Sequence, residues 1–152
     1  MSSKRSQIAA AMLEAWNVDG APVELVREPF RQQVVNDTTP VRCGLYLLTD
    51  DPTQAETERD RDETVPARIH EAVWIVETRA CGTDGDVPED VVDAVECWAV
   101  KVWNDNRLDG LVQFMRTAGS ELHREIADRP LIRLITGVRV KYVSDAHDFE
   151  AQ

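Results

Sequence analysis

The sequence has little of what usually marks chemistry. Its three histidines, His70, His123 and His147, stand far apart, and none belongs to an HExxH stretch or to a Cys/His cluster with zinc spacing. The three cysteines, Cys43, Cys81 and Cys97, are odd in number and form no CxxC pair, which excludes a sequence-legible disulfide framework and points to reduced thiols. There is no GxxxxGK[ST], GxGxxG or GxSxG stretch, so phosphate-cradling loops and a nucleophile elbow are not written in the chain. No apolar run approaches the roughly 20 residues that span a bilayer. The opening "MSSKRSQIAAAMLEAW" begins with cations, but Glu14 interrupts its apolar part, and it reads as an amphipathic helix and not a secretion signal.

Positive charge is also scarce. Seventeen Lys and Arg stand against 28 Asp and Glu, a formal net charge of −11. Phosphate binding depends on cations, so this balance argues against specific nucleic-acid recognition and against anionic membranes. A length of 152 residues with 43% hydrophobic content suits one domain with its own core, and no internal repeat or domain boundary is visible.

Periodicity organises the rest. Ile8, Met12 and Trp16, with Ala9 and Leu13 beside them, form one stripe of a first helix over about Ser6–Trp16, ended by Gly20 and Pro22. Val23–Glu28 reads as a short strand. Val41, Cys43, Leu45 and Leu47 share one face of a second strand. The stretch from Asp51 to Arg68 has almost no large apolar residue and is crowded with carboxylates, which predicts a mobile acidic loop over about 50–67. Its carboxylates lack the DxDxDG spacing of a calcium loop. A long strand follows over Arg68–Ala80, expected to be at least partly covered on both faces as a central strand under a helix. A second helix begins at Asp86 and Pro88 with Val91, Val95, Trp98 and Val102 as its stripe. "LVQFMRT" is ambiguous between helix and strand, "SELHREI" alternates, and a last strand runs through "RPLIRLITGVRVKYVS" before a flexible tail over about 145–152. In that strand the even positions from Ile132 to Tyr142 face the core, while Arg133, Arg139 and Lys141 face outward. The tryptophans Trp16, Trp74, Trp98 and Trp103 lie on elements with apolar stripes, so most are expected in the core. His123 and Glu125 share a strand face and read as solvated polar residues. No catalytic, metal or cofactor-binding set converges in this reading, so no enzyme is expected.

The C-terminal third, "NRLDGLVQFMRTAGSELHREIADRPLIRLITGVRVKYVS", resembles the closing segment of the tail terminator (tail completion) proteins of long-tailed phages. The D-x-x-L-x-G-L stretch of that family is matched by Asp105, Leu108, Gly110 and Leu111, and its final V-x-Y strand by Val140 and Tyr142. The order of elements is also similar over nearly the whole chain. The resemblance implies an α+β fold, an antiparallel sheet of about four or five strands packed with two main helices and a long acidic loop between two strands.

It further implies a structural virion assembly protein in a hexameric ring that caps the head-proximal end of the tail tube. Such a ring stops tube polymerisation and offers the head-joining surface, and DNA transits its hole. The implied partners are other copies of the chain, the tail tube protein and the head-neck connector protein. The implied location is the virion tail, with the host cytoplasm during assembly. Head-to-tail rings need two unlike complementary surfaces on each subunit. Arg133, Arg139 and Lys141 are the expected subunit or tube interface, met by acidic residues of a neighbour. The acidic set Asp50, Asp51, Glu56, Glu58, Asp60, Asp62 and Glu63 is expected to face the lumen or a partner and to keep passing DNA from sticking. The alternatives are a neck or head-completion component, or an acidic adaptor or inhibitor that binds a basic protein.

Overall fold

In the computed structural model of the protein, residues 3–28, 41–53, 68–82, 88–126 and 130–144 are described. Helix α1 (Lys4–Trp16) leads into strand β1 (Leu25–Arg27), then β2 (Val41–Thr53), β3 (Arg68–Cys81), helix α2 (Pro88–Trp103), β4 (Phe114–Ile126) and β5 (Pro130–Ser144). The fold is α+β, with one open five-stranded sheet in the order β1-β2-β3-β5-β4. β2–β3, β3–β5 and β4–β5 pair antiparallel. Only the short β1 joins parallel, through Leu25↔Cys43 to Arg27↔Leu45, which makes the sheet mixed.

Both helices lie on one side of this sheet. From α1, Ile8, Ala9, Met12 and Trp16 are buried against Cys43, Leu45, Trp74 and Val76. From α2 the innermost residues are Val92, Val95, Ala99 and Trp103. The stripe expected from sequence, at 91, 95, 98 and 102, is therefore turned by part of a helical turn. Both sets satisfy helical spacing and share Val95, and Trp103 decides between them by stacking on Trp16 (5.5 Å between centroids, 29° between planes). Trp98 meets Trp16 edge-on and donates its indole N–H to the Trp16 carbonyl at 3.2 Å. β5 obeys its alternation: Ile132, Leu134, Thr136, Val138, Val140 and Tyr142 are all buried.

Local chemistry sets the element ends. The Ser3 hydroxyl accepts from the Ser6 N–H at 3.1 Å and starts α1 earlier than apolar spacing alone suggests. At its other end Asn17 turns its side-chain amide onto the edge strand. Its Nδ2 donates to the Leu25 carbonyl at 2.8 Å and its Oδ1 accepts from the Leu25 N–H at 2.9 Å, so the amide acts as one more peptide group beside β1.

Two irregularities re-aim the longer strands. In β2 the register slips between Leu47 and Thr49, leaving Leu48 as the extra residue. In β4 it slips between Thr117 and Ser120, beside Gly119 at φ +106°. The turn between α2 and β4 holds Asp105, Leu108 and Asp109 at positive φ (61°, 49° and 57°) with Gly110 at 87°. Three of the D-x-x-L-x-G-L residues are thus left-handed turn residues, a conformation costing about 1–2 kcal/mol each outside glycine. Asn106 compensates by accepting the Leu108 N–H at 2.8 Å and donating to the Val102 carbonyl at 3.0 Å.

Asn17→Ala removes both bonds to Leu25 and is expected to lower unfolding stability by about 1–2 kcal/mol, read from the urea midpoint; an unchanged midpoint contradicts this role.

Candidate functional site

Because the helices cover the side of the sheet to which the even residues of β5 point, the odd residues point away from them. Among the described residues no helix packs on that second face. Cross-strand register places Asp51, Glu71, Lys141 and Phe114 in one row across β2, β3, β5 and β4. The next row is Thr49, Val73, Arg139 and Arg116. Apart from Arg116, these rows line an open hollow of about 560 Å³ together with Gln113, Ala72 and Val140. Its charges are sorted by strand: Asp51 and Glu71 on one side, Lys141 and Arg139 on the other, with Arg116 directly across from Arg139. Among the described residues none of these five charges has an ion-pair partner. Phe114, 41% exposed, stands at the rim.

Further along the same face a second set of cations crosses the sheet. Arg42, Arg79 and Arg133 occupy one row, which ends at the imidazole of His123. Like charges on neighbouring strands repel, and nearby carboxylates offset this. Glu77 is buried and accepts from Arg79 Nε at 2.8 Å. Glu28 lies over Gly44, where a Cβ would come within 2.4 Å of its carboxyl carbon. Burial and the neighbouring Glu77 raise the Glu28 carboxyl above its usual range.

The residues chosen from sequence thus divide. Arg139 and Lys141 belong to the hollow, whereas Arg133 lies six positions away along β5, about 20 Å at strand rise, in the second row. Arg116, outside the lining but directly across from Arg139, extends the basic group and was not chosen, because the ambiguous "LVQFMRT" gave no face to assign it to. Asp50 and Asp51 are not loop residues: β2 runs to Thr53. Asp51 is exposed on the bare face. Glu56, Glu58, Asp60, Asp62 and Glu63 lie outside the described residues, as does His147. His123 is solvated beside Glu121 at 3.4 Å. Among the described residues no group of three or more His, Cys, Asp and Glu is placed to hold a metal ion. Cys43 is buried, which pushes its thiol up to about 12 despite a contact with Thr78 Oγ1 at 3.3 Å, and so leaves it unreactive.

Asp50 faces the other way, and sequence reading missed its role. The extra residue at Leu48 changes the phase of β2, so that Asp50 pairs with Ala72 and points to the helix side. There its side chain is only 3% exposed. Arg5 of α1 donates Nε to Asp50 Oδ2 at 2.5 Å, and the Tyr142 hydroxyl donates to the same oxygen. His70 Nδ1 lies 2.9 Å from Asp50 Oδ1, and its Nε2 lies 2.6 Å from the Ser144 hydroxyl. The imidazole also stacks on Tyr142 at 4.7 Å. An acid–imidazole–hydroxyl chain has the connectivity of a nucleophilic relay. Here, however, Ser144 is 2% exposed and the hollow lies on the opposite face of the sheet. What the set does is tie α1 to β2, β3 and β5 through one carboxylate. Burial alone would raise the Asp50 carboxyl, but the hydrogen bonds from Tyr142, Arg5 and His70 outweigh it and hold it below the usual carboxylate value.

A carboxyl depressed by folding contributes stability above its unfolded value, near 4, and that contribution is lost as pH falls through the folded value. Asp50→Asn is therefore expected to cost about 2–4 kcal/mol at neutral pH and to flatten the acid limb of a thermal-melt profile below about pH 4; parallel wild-type and variant profiles contradict the assignment. No protein-family model matches the chain, and no curated protein is significantly similar to it.

Proposed function

We propose that this chain is a structural subunit of the tail-terminator type, closing with copies of itself into a ring at the head-proximal end of a phage tail tube. The observation that carries the reading is the two-sidedness of the subunit. One face is a helix layer, and on the other, among the described residues, no helix packs and a hollow holds charges that have no ion-pair partner. A subunit with two unlike faces joins head to tail, and such contacts close into rings when the rotation permits. The similarity of element order and of the Asp105–Leu111 and Val140–Tyr142 stretches supplies the choice of ring. The partners on this reading are other copies, the tube protein and the connector, with DNA passing through and not bound.

The triple variant R133E/R139E/K141E is expected to weaken the ring at least tenfold, about 1.4 kcal/mol, with secondary structure retained; an unchanged mass in light scattering contradicts the reading. Neutralising Asp60, Asp62 and Glu63 is expected to increase retention on immobilised DNA at low salt, since repulsion is removed. Equal retention counts against a lumen-facing role for that segment.

A further inference from the structure

The surface that meets the bare sheet can be named from the charges on the other layer. Helix α2 buries Val92, Val95, Ala99 and Trp103, and on its solvent side Asp90, Asp93 and Glu96 are exposed. Glu89 continues this acidic side but is engaged by Arg124 of β4 at 2.8 Å. Val100 lies on the same flank and is 46% exposed. Asp93, Glu96 and Val100 are spaced by three and four residues, so they form one line about 10 Å long at helical rise.

The basic group at the hollow is more compact. Arg116 and Arg139 face each other across neighbouring strands, about 5 Å apart, and Lys141 lies two residues further, about 7 Å along β5. Phe114 stands beside Lys141 in the same row. Each surface therefore joins three charges of one sign to one exposed apolar side chain, the acidic line running about 15 Å from Asp90 to Val100 and the basic group about 7 Å along the strands. The acidic line belongs to the helix layer and the basic group to the uncovered face, so they cannot meet within one copy.

We infer that the solvent side of α2 in one copy docks in the sheet hollow of the next, with Asp90, Asp93 and Glu96 against Arg116, Arg139 and Lys141, and Val100 toward Phe114. This inference rests on the proposed self-assembly and assigns its interface. The contact is heterologous, because helix layer meets sheet face, and each copy keeps one half of each kind free for the next neighbour. Desolvated opposite charges fix its register, and the apolar pair sits where binding energy concentrates. A chain of net charge −11 repels its own copies at long range, so a sorted basic patch is the feature that makes self-contact selective.

The test uses the full chain in two reversal variants, R116E/R139E/K141E and D90K/D93K/E96K, followed by size-exclusion chromatography with light scattering. Each alone is expected to associate at least tenfold more weakly than wild type. Mixed in equal amounts they are expected to regain wild-type assembly, because each junction then pairs opposite charges and the copies alternate. Variants that assemble like wild type, or a mixture that stays dissociated, overturn the interface and leave ring formation standing. Wild-type protein that remains monomeric at every soluble concentration overturns both. Where a reversal disturbs folding, R116Q/R139Q and D93N/E96Q carry the same comparison at smaller amplitude.

Discussion

Two helices cannot cover both sides of a five-stranded sheet, and the rest of this molecule follows from which side they take. The even residues of β5 and β3 supply an apolar platform, and α1 and α2 bury it with Trp16, Trp103, Met12 and Val95. The antiparallel pairing of β3 with β5, unbroken from Arg68↔Ser144 to Cys81↔Leu131, holds that platform rigid. The opposite face then receives every charged residue that the alternation sends there, without a helix above it among the described residues. A sheet with one packed face and one solvated face is common in antiparallel folds. What distinguishes this one is that its outer charges are sorted by sign and strand around a hollow.

The helix layer is fastened at both ends by polar groups. At one end Asn17 binds the backbone of Leu25, and the indole N–H groups of Trp16 and Trp98 reach the carbonyls of Val23 and Trp16. At the other, Arg5 is held by Asp50, which also receives Tyr142 and His70. A buried carboxylate costs desolvation, and only several donors make its burial favourable. The bulge at Leu48 is what turns Asp50 toward those donors. One irregular residue in β2 thus divides two adjacent carboxylates between two tasks, with Asp50 in the interior and Asp51 at the hollow.

Much of this was legible in the sequence where a period was clean. β5 is a strict two-residue alternation, and both of its faces are as read. The core of α1 follows from Ile8, Met12 and Trp16. The sequence was less informative where two patterns fit the same residues. A helix as rich in Val and Ala as α2 admits two stripes that share Val95, and only the stacking of Trp103 on Trp16 separates them. "LYLLTDD" is apolar on both parities up to Leu48, so nothing marks the residue at which the face changes. Asp50 was hidden for that reason, and because a carboxylate among many others looks solvated. Arg116 was hidden because β4 begins in a stretch without clear alternation. The parallel pairing of β1 rests on three residues, too few to carry a period.

The central claim is that the uncovered sheet face of one copy lies against the helix layer of another. A zero-length carbodiimide cross-link between Lys141 and the carboxylates of α2, followed by mass spectrometry on assembled protein from equal parts of ¹⁴N- and ¹⁵N-labelled chain, tests it most directly. The account predicts mixed-isotope links from Lys141 to Asp90, Asp93 or Glu96 that vanish on dilution to the monomer. Links from Lys141 confined to Asp51 and Glu71 of its own chain, in a preparation that is nonetheless assembled, would contradict it.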